Sequence, residues 1–283
     1  MPFLVALLVL AARGVAENPV TWKPGFGRAP LWNDGMAEVS VYEAQDLREG
    51  APRTSRAVLV IVAEDLLSDA LVKADRPGEA APTRRVLKLN HIRDIPTGVY
   101  TYQQMLSAFL AADRLDPIKL TMTSHEWCGN SFAEWRVDRA SLAIRSYFEQ
   151  PGDVDVPLSP GDAVFYDSLP LTLRGLDFER TRSGVLRVIS SVFTSRPLPP
   201  STETARLEVT RPLQSPPVYR VSLSLSRTRQ TDVFDFETSF PHRLVRWDRG
   251  DGGSLRRVLS RRSRYWEENA PGDEGLLSPP VTR

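Results

Sequence analysis

The segment 124–130 holds the residue types best suited to nucleophilic chemistry. It contains Cys128, the only cysteine of the 283-residue chain, and His125, one of three histidines. A thiol becomes an effective nucleophile when a neighbouring base removes its proton. Cys128 is therefore a candidate catalytic residue, with Glu126 or His125 as its base. In an extended strand, however, His125 and Cys128 would lie on opposite faces, because successive side chains alternate.

The same segment also has a purely structural interpretation. Cys128 would be buried against Trp127 at the end of a strand, and Gly129-Asn130 would form a hairpin turn. The two interpretations differ in the state of the thiol. A catalytic Cys128 must be partly exposed, lie in a pocket and react faster than a free thiol, which the rate of alkylation against pH would show.

The rest of the sequence offers no clear motif for a metal, a cofactor or another nucleophile. His125-Glu126 lacks the second histidine of a helical zinc motif, and His91 and His242 lie far away along the chain. Neither a glycine-rich phosphate loop nor a Gly-x-Ser-x-Gly elbow is present. We therefore expect no metal site and no cofactor. A carboxylate pair is a further alternative, although charged residues at strand ends are usually solvated; its candidates are Glu43, Asp46, Glu64, Asp65 and Glu126.

Aromatic residues provide candidates for a site that binds and does not react. Trp127 belongs to the segment described above, and Tyr100 and Tyr102 precede it in a β-rich stretch. We expect these three residues to contribute to a ligand-binding cleft. Nucleic acid is not expected as a partner, because a net charge of +1 lacks the basic excess that such binding normally needs.

The first residues resemble an export signal. The apolar run from Phe3 to Ala12 is too short for a membrane span of about 20 residues, but it fits the hydrophobic region of a signal peptide. Gly14 and Ala16 are small residues at positions suited to cleavage before Glu17. Residues 1–16 are thus predicted to be a signal peptide, and the protein to be periplasmic or extracellular; a buried N-terminal strand or helix is the alternative. We expect no integral membrane span, since no second run approaches that length.

Strand patterns dominate residues 17–150, the predicted N-terminal β-rich half. Met36–Glu43 alternates between apolar and polar residues, whereas Arg56–Glu64 is apolar on both faces and indicates a central strand. Val99–Leu110 fits a strand or a helix, and we favour a strand. Further strands are predicted over 85–93, 118–126, 132–137 and 142–148.

Residues 151–268 form a second β-rich half with one short helix. The helix is predicted over 162–176, where Asp162 would cap it and Pro170 would keep it short or kinked. A hairpin is predicted at 248–253, and the tail 269–283 is expected to be mobile. The predicted fold is mainly β, built from antiparallel meanders or open half-barrel sheets. Its other strands are predicted over 186–193, 205–210, 219–226, 233–240, 243–247 and 255–266.

Two further motifs favour structural roles. Five arginines between 256 and 264 occupy both faces of a predicted strand, which favours an edge strand protected by charge over a one-sided surface for anionic lipid. Asn33-Asp34-Gly35 is a turn sequence, because Asp34 can accept a hydrogen bond from the backbone two residues on. Trp32, which precedes the turn, is expected to cover one end of the core.

The chain also has a family resemblance. Trp32-Asn-Asp-Gly-Met-Ala-Glu-Val39 and Glu126-Trp-Cys-Gly129 resemble motifs of an uncharacterised family of exported bacterial β-proteins, some of which bear a septum formation inhibitor designation. The second half, with Pro241–Trp247 and Tyr265-Trp266, is similar to periplasmic domains of unknown function and, through them, to half-barrels such as the outer-membrane lipoprotein carrier. The resemblance implies an exported open half-barrel and no particular activity.

The leading hypothesis is an exported soluble β-protein that binds a lipid, a glycan or another envelope component. Its ligand would enter an apolar cleft on the concave face of the half-barrel, lined by Val, Leu and aromatic residues. The alternatives are an envelope enzyme centred on Cys128 and a purely structural envelope component. The sequence leaves the ligand and the oligomeric state open.

Overall fold

The fold was obtained as a computed structural model that describes residues 20–75 and 81–278. The predicted signal peptide at 1–16 lies outside these residues, as do the last five positions of the predicted tail. Within the described ranges, no helix is both long enough and apolar enough to cross a bilayer.

One open sheet of 15 strands organises the protein. The chain enters it in the middle with β1, and each following strand pairs antiparallel with the one before, out to β8 at one edge. These eight strands are β1 (Ala37–Arg48), β2 (Ala51–Leu67), β3 (Thr83–Pro96), β4 (Thr101–Ala111), β5 (Pro117–Glu126), β6 (Gly129–Arg136), β7 (Ser141–Ser146) and β8 (Val154–Pro157).

The second part of the chain builds the other side of the same sheet. It starts at the far edge, where β9 pairs parallel with β10, and returns through antiparallel strands until β15 pairs with β1. The two β-rich halves therefore share one sheet and meet at the β1–β15 pair. The strands are β9 (Val164–Phe165), β10 (Ser183–Ile189), β11 (Thr202–Thr210), β12 (Val218–Leu225), β13 (Thr231–Glu237), β14 (Leu244–Asp248) and β15 (Ser254–Ser263).

The predicted central strand is confirmed as β2, which is buried on both faces. Leu59 and Ile61 belong to the main core cluster on the concave face, whereas Val60 and Val62 belong to a smaller cluster on the outer face. The outer cluster is covered by Tyr265 and by Leu277, the last residue of a 3-10 helix, Asp273–Leu277. This double burial explains why the strand carries an unbroken apolar run.

A short helical segment at 166–175 fills the concave face. It consists of a 3-10 turn, the helix α1 (Leu169–Thr172) and a second 3-10 turn. Leu169, Leu171 and Leu173 are fully buried. They belong to a core cluster that contains side chains from the N-terminal and the C-terminal strands of the sheet. The prediction of an open antiparallel β-fold with one short helix is thus confirmed.

One detail of the predicted helix is wrong. Asp162 does not cap it, because β9 stands between Asp162 and the helical segment. The segment is short, as predicted, and Pro170 stands in the first turn of α1, where a missing backbone N–H costs nothing.

The arginine-rich strand is not an edge strand, contrary to the sequence interpretation. β15 lies between β14 and β1 in the middle of the sheet, where its backbone is already paired. Its charges are instead balanced within the chain, because each arginine lies next to a carboxylate. The pairs are Arg256–Asp248, Arg257–Glu237, Arg261–Glu268, Arg262–Asp34 and Arg264–Glu267.

Trp32 and its turn have the structural role that the sequence indicates. Trp32 is 2% exposed in the main core, and its indole N–H donates to the carbonyl of Phe26 at 3.0 Å. Its ring also lies near the guanidinium groups of Arg174 and Arg262, at 5.6 and 5.4 Å. Asp34 accepts a hydrogen bond from the Met36 backbone N–H at 2.9 Å, which is the predicted turn contact.

Replacing Trp32 by alanine should lower the free energy of unfolding by about 3–5 kcal/mol, because it empties a buried indole site. Replacing Asp34 by alanine should cost about 1–3 kcal/mol, because it removes both the hydrogen bond from Met36 and the carboxylate paired with Arg262. Urea unfolding of the two variants and the native protein measures both changes. If the Trp32→Ala variant kept native stability but lost ligand binding, Trp32 would belong to a recognition surface instead of the core.

Candidate functional site

The segment that contains the cysteine forms the tip of the β5–β6 hairpin. Glu126 pairs with Gly129, so Trp127 and Cys128 make the two-residue turn. The predicted turn at Gly129-Asn130 is wrong, because both of these residues are in β6. Gly129 is needed there for space, since a β-carbon at this position would lie 2.4 Å from the ring of Tyr147.

Cys128 is exposed at this tip, so the interpretation of a buried cysteine is wrong. The side chain of its candidate base His125 is bound elsewhere, because Nδ1 of His125 lies 2.9 Å from Oδ1 of Asn130 across the hairpin. The other candidate, Glu126, lies beside Tyr102, and burial together with Tyr100 and Glu126 raises the pKa of the Tyr102 hydroxyl. The fold thus exposes the thiol but gives both candidate bases other neighbours.

The three candidate binding residues come together in one aromatic platform, formed by Tyr100, Tyr102 and Trp127. The rings of Tyr100 and Trp127 stack with centroids 6.0 Å apart and 30° between their planes, and Tyr100 lies 5.5 Å from Tyr102. Trp127 is 77% exposed, whereas Tyr102 is buried. The antiparallel pairing of β4 with β5 brings them together, because it places the start of one strand beside the end of the other.

Other aromatic and basic side chains extend the platform at the same end of the sheet. Tyr147 is exposed over Gly129 and contacts the ring of Phe148. Arg196 lies over Phe148 at 4.2 Å, and Arg48 lies over Tyr102 at 4.7 Å. Exposed rings in such a group form an apolar surface bordered by polar groups, which is a common feature of interaction sites.

A polar pocket adjoins the platform through Arg48, which contributes to both. Its volume is about 240 Å³, and the charged and polar residues that build it come from β1, β3 and the loops after β9, β10 and β14. The predicted site residues did not include it, apart from Asp46 among the carboxylate candidates. The main polar residues of the pocket are Asp46, Arg48, His91, Arg93, Asp167 and Arg249.

Asp46 is the electrostatic centre of the pocket. Its carboxylate accepts hydrogen bonds from Arg93 at 3.3 Å, from Arg249 at 2.9 Å and from the hydroxyl of Ser55 at 2.6 Å. Burial alone would raise the pKa of Asp46, but the two guanidinium groups and the hydroxyl outweigh it and lower the pKa to about 2. Asp46 is therefore ionised at neutral pH and balances part of the positive charge around it.

Arg93 is a fully buried cation with only part of its hydrogen-bonding capacity used. One terminal nitrogen donates to Gln104 and to the carbonyl of Phe193, both at 2.7 Å, and the guanidinium lies 3.9 Å from the Phe193 ring. Among the described residues its Nε has no hydrogen-bond partner. Burial, helped by Arg249 and Arg48, lowers the pKa of Arg93 to about 10 although Asp46 opposes that effect, and the guanidinium is still charged at neutral pH.

Two further buried groups line the pocket. His91 is 2% exposed, and its Nε2 has no partner in the part of the chain that the structure describes. Burial, reinforced by Arg93, holds the pKa of His91 well below its ordinary value, so the imidazole is neutral at neutral pH. Burial raises the pKa of Asp167, whose carboxylate accepts hydrogen bonds from Ser191 and from the Val192 N–H. The pocket thus holds two carboxyl groups whose pKa values are shifted in opposite directions.

The pocket lies where the inner face of the sheet changes from apolar to polar. Along β3 the inward residues Leu87 and Leu89 are followed by His91 and Arg93. Arg93 begins a polar row that crosses five neighbouring strands in register. Its members are Arg93, Gln104, Ser124, Ser131 and Ser146.

The other carboxylate candidates lie outside the pocket, and Glu43 is exposed. Glu64 binds Lys88 at 2.6 Å, and Asp65 binds Arg85 at 3.1 Å. Across residues 20–75 and 81–278, no group of three or more His, Cys, Asp or Glu side chains is arranged to hold a metal ion.

The apolar cleft expected on the concave face is not open, because the helical segment and the core leucines fill that space. Comparison of the chain with protein-family models, with curated proteins and with solved structures finds no match. The candidate sites are thus the exposed platform and the polar pocket beside it.

The buried carboxylate of Asp46 should make stability depend on acid pH. Its pKa is lower in the folded protein than its ordinary value of 3.8, so its contribution to stability is complete above about pH 4 and is lost as the pH falls towards 2. The difference in unfolding free energy between native protein and Asp46→Asn should therefore shrink by about 1 kcal/mol between about pH 6 and pH 3. Urea unfolding at both pH values measures it; a constant difference would contradict the assigned role of Asp46.

Proposed function

We propose that the protein is a glycan-binding protein of the cell envelope and that the aromatic platform is its contact surface. The observation that carries this proposal is the stack of Tyr100 on Trp127, with Trp127 77% exposed at a hairpin tip. A sugar ring has an apolar face of C–H groups and a rim of hydroxyls. A flat ring bordered by polar side chains complements both features.

Polar groups stand beside the platform where sugar hydroxyls would need them. Glu126 neighbours Tyr102 on the inner face, and the pair formed by His125 and Asn130 lies on the outer face of the same hairpin. These side chains include donors and acceptors, so they suit a neutral polyhydroxyl ligand. The export predicted from residues 1–16 would bring the platform to envelope glycans.

A lipid is the less favoured ligand for two reasons. The concave face, where an amphiphile was expected, is filled by the protein's own side chains. Attraction to anionic head groups depends on Lys and Arg, and the hairpin contains neither from 120 to 135. The two arginines that border the platform, Arg48 and Arg196, lie over the rings of Tyr102 and Phe148.

Binding to an array of neutral and acidic envelope oligosaccharides, followed by calorimetry with the best-bound oligosaccharide, tests the proposal. Trp127→Ala should weaken binding at least tenfold, because it removes the exposed half of the stack. Its unfolding free energy should stay within about 0.5 kcal/mol of the native value, as for other surface changes. Trp266→Ala is the matched control, since Trp266 is 47% exposed in the C-terminal segment, and should bind normally.

The single cysteine supplies an independent readout, because Cys128 follows Trp127 in the turn. A bound oligosaccharide should slow alkylation of Cys128 in the native protein. Absence of any bound oligosaccharide, or normal binding by Trp127→Ala, would refute the proposal. Co-sedimentation with anionic vesicles that is lost in Trp127→Ala, without glycan binding, would assign the platform to lipid.

A further inference from the structure

The polar pocket contains guanidinium donors that have no acceptor among the described residues. The Nε–H of Arg93 is buried without a partner, and within the described residues Arg48 makes one hydrogen bond, of 3.3 Å, to Ser195. Each guanidinium has five N–H donors. Donors left unpaired in a buried site carry a cost in free energy, so this arrangement is suited to a ligand that accepts hydrogen bonds.

The carboxylates of the pocket do not meet that need. Both oxygens of Asp46 accept hydrogen bonds, from Arg93, Arg249 and Ser55. Both oxygens of Asp167 accept hydrogen bonds too, in its case from the segment that follows β10. The third carboxylate, Asp251, accepts hydrogen bonds from Arg249 and Gly253 through one oxygen, and its side chain is half exposed. Within the described residues, none of the three carboxylates accepts a hydrogen bond from Arg48 or from the Nε of Arg93.

The remaining walls of the pocket indicate an organic ligand. Phe193 and Trp247 line it, and so does His91, a neutral imidazole that is 2% exposed and whose Nε2 has no partner among the described residues. A volume of about 240 Å³ leaves room for a small molecule with a carbon frame beside its charged group. A bare inorganic anion would leave both aromatic walls unused.

We propose that this pocket is a second binding site, for a small organic carboxylate that accepts hydrogen bonds from Arg93 and Arg48. The planar guanidinium groups match the two oxygens of a carboxylate. The carbon frame would lie against Phe193 and Trp247, and His91 would contact a polar group of the ligand. The pocket shares Arg48 with the border of the platform, but this proposal does not depend on glycan binding there.

Titration of the full chain with three carboxylates and their uncharged counterparts tests the inference. The pairs are glucuronate and glucose, benzoate and benzamide, and succinate and succinamide, with inorganic phosphate as a further probe. At least one carboxylate should bind saturably and raise Tm, while its uncharged counterpart does neither. Saturable binding of phosphate alone would overturn the assignment to an organic ligand, and absence of carboxylate binding would overturn the site.

Variants then locate the binding. Arg93→Lys keeps the charge next to Asp46 but removes the planar fork and its free Nε–H, so carboxylate affinity should fall at least tenfold. Arg48→Gln should weaken binding similarly and serves as the second variant if Arg93→Lys does not fold. Arg114→Gln is the matched control, because Arg114 is an exposed arginine away from the pocket, and should bind normally. Native affinity in both pocket variants would refute the inference.

A direct readout comes from the imidazole resonances. The chain has three histidines, and only His91 lines the pocket. In protein labelled with ¹⁵N-histidine, a bound carboxylate should shift the signals of His91 and leave those of His242 unchanged. Trp127→Ala should retain carboxylate binding, so failure of the platform proposal and failure of this one give different results.

Discussion

A buried ion pair between Glu38 and Arg174 fixes the helical segment inside the sheet. The guanidinium donates to both carboxylate oxygens at 2.8 and 2.9 Å, and its Nε donates to the carbonyl of Pro241 at 2.8 Å. Arg174 is 1% exposed and Glu38 is 3% exposed. Because separating such charges would leave each one unpaired in the interior, the helical segment and β1 must stay together. Trp32 packs over the same guanidinium and closes this end of the core.

The position of the helical segment decides where a ligand can be held. An open sheet of this size would otherwise present a large apolar face to solvent. The leucines of α1 and its flanking turns cover that face, so the apolar half-barrel cleft of the sequence prediction is replaced by core. The end of the sheet where β5 and β6 turn, and where the inner face becomes polar, stays accessible. Both candidate sites lie there, and Arg48 borders each of them.

Alternation and turn chemistry predict most of the sheet because they are local properties. The double burial of β2, the hairpin at 248–253 and the short helix all follow from patterns within a few residues. β8 and β9 were not predicted, since two to four residues do not establish a pattern. β15 was misjudged as an edge because strand order depends on pairing with β1, which is more than 200 residues away in sequence.

Of the two candidate sites, the sequence predicts the residues of the platform but not those of the pocket. Tyr100, Tyr102 and Trp127 are conspicuous residue types, and the pairing of β4 with β5 suffices to join them. The pocket is built from single polar residues on separate strands, so no motif marks it. A signal was nevertheless present, because alternation along β3 puts His91 and Arg93 on the same face as Leu87 and Leu89. A charged residue at an inward position of a buried strand must find a partner inside the protein. Such a residue therefore indicates a site even where the residues next to it in sequence form no motif.

β1 connects these features because it pairs with strands from both halves of the chain. Glu38 lies near its start and holds the helical segment, whereas Asp46 and Arg48 lie near its end and build the pocket. With a rise of about 3.3 Å per residue, Glu38 and Asp46 are separated by about 26 Å along the strand. One strand therefore carries Glu38, which binds Arg174 at one end of the core, and Asp46 and Arg48, which line the pocket at the other end. Since the positions of both are set by the register of β1 against β2 and β15, the same pairing that builds the sheet also places the pocket at the seam between the two halves.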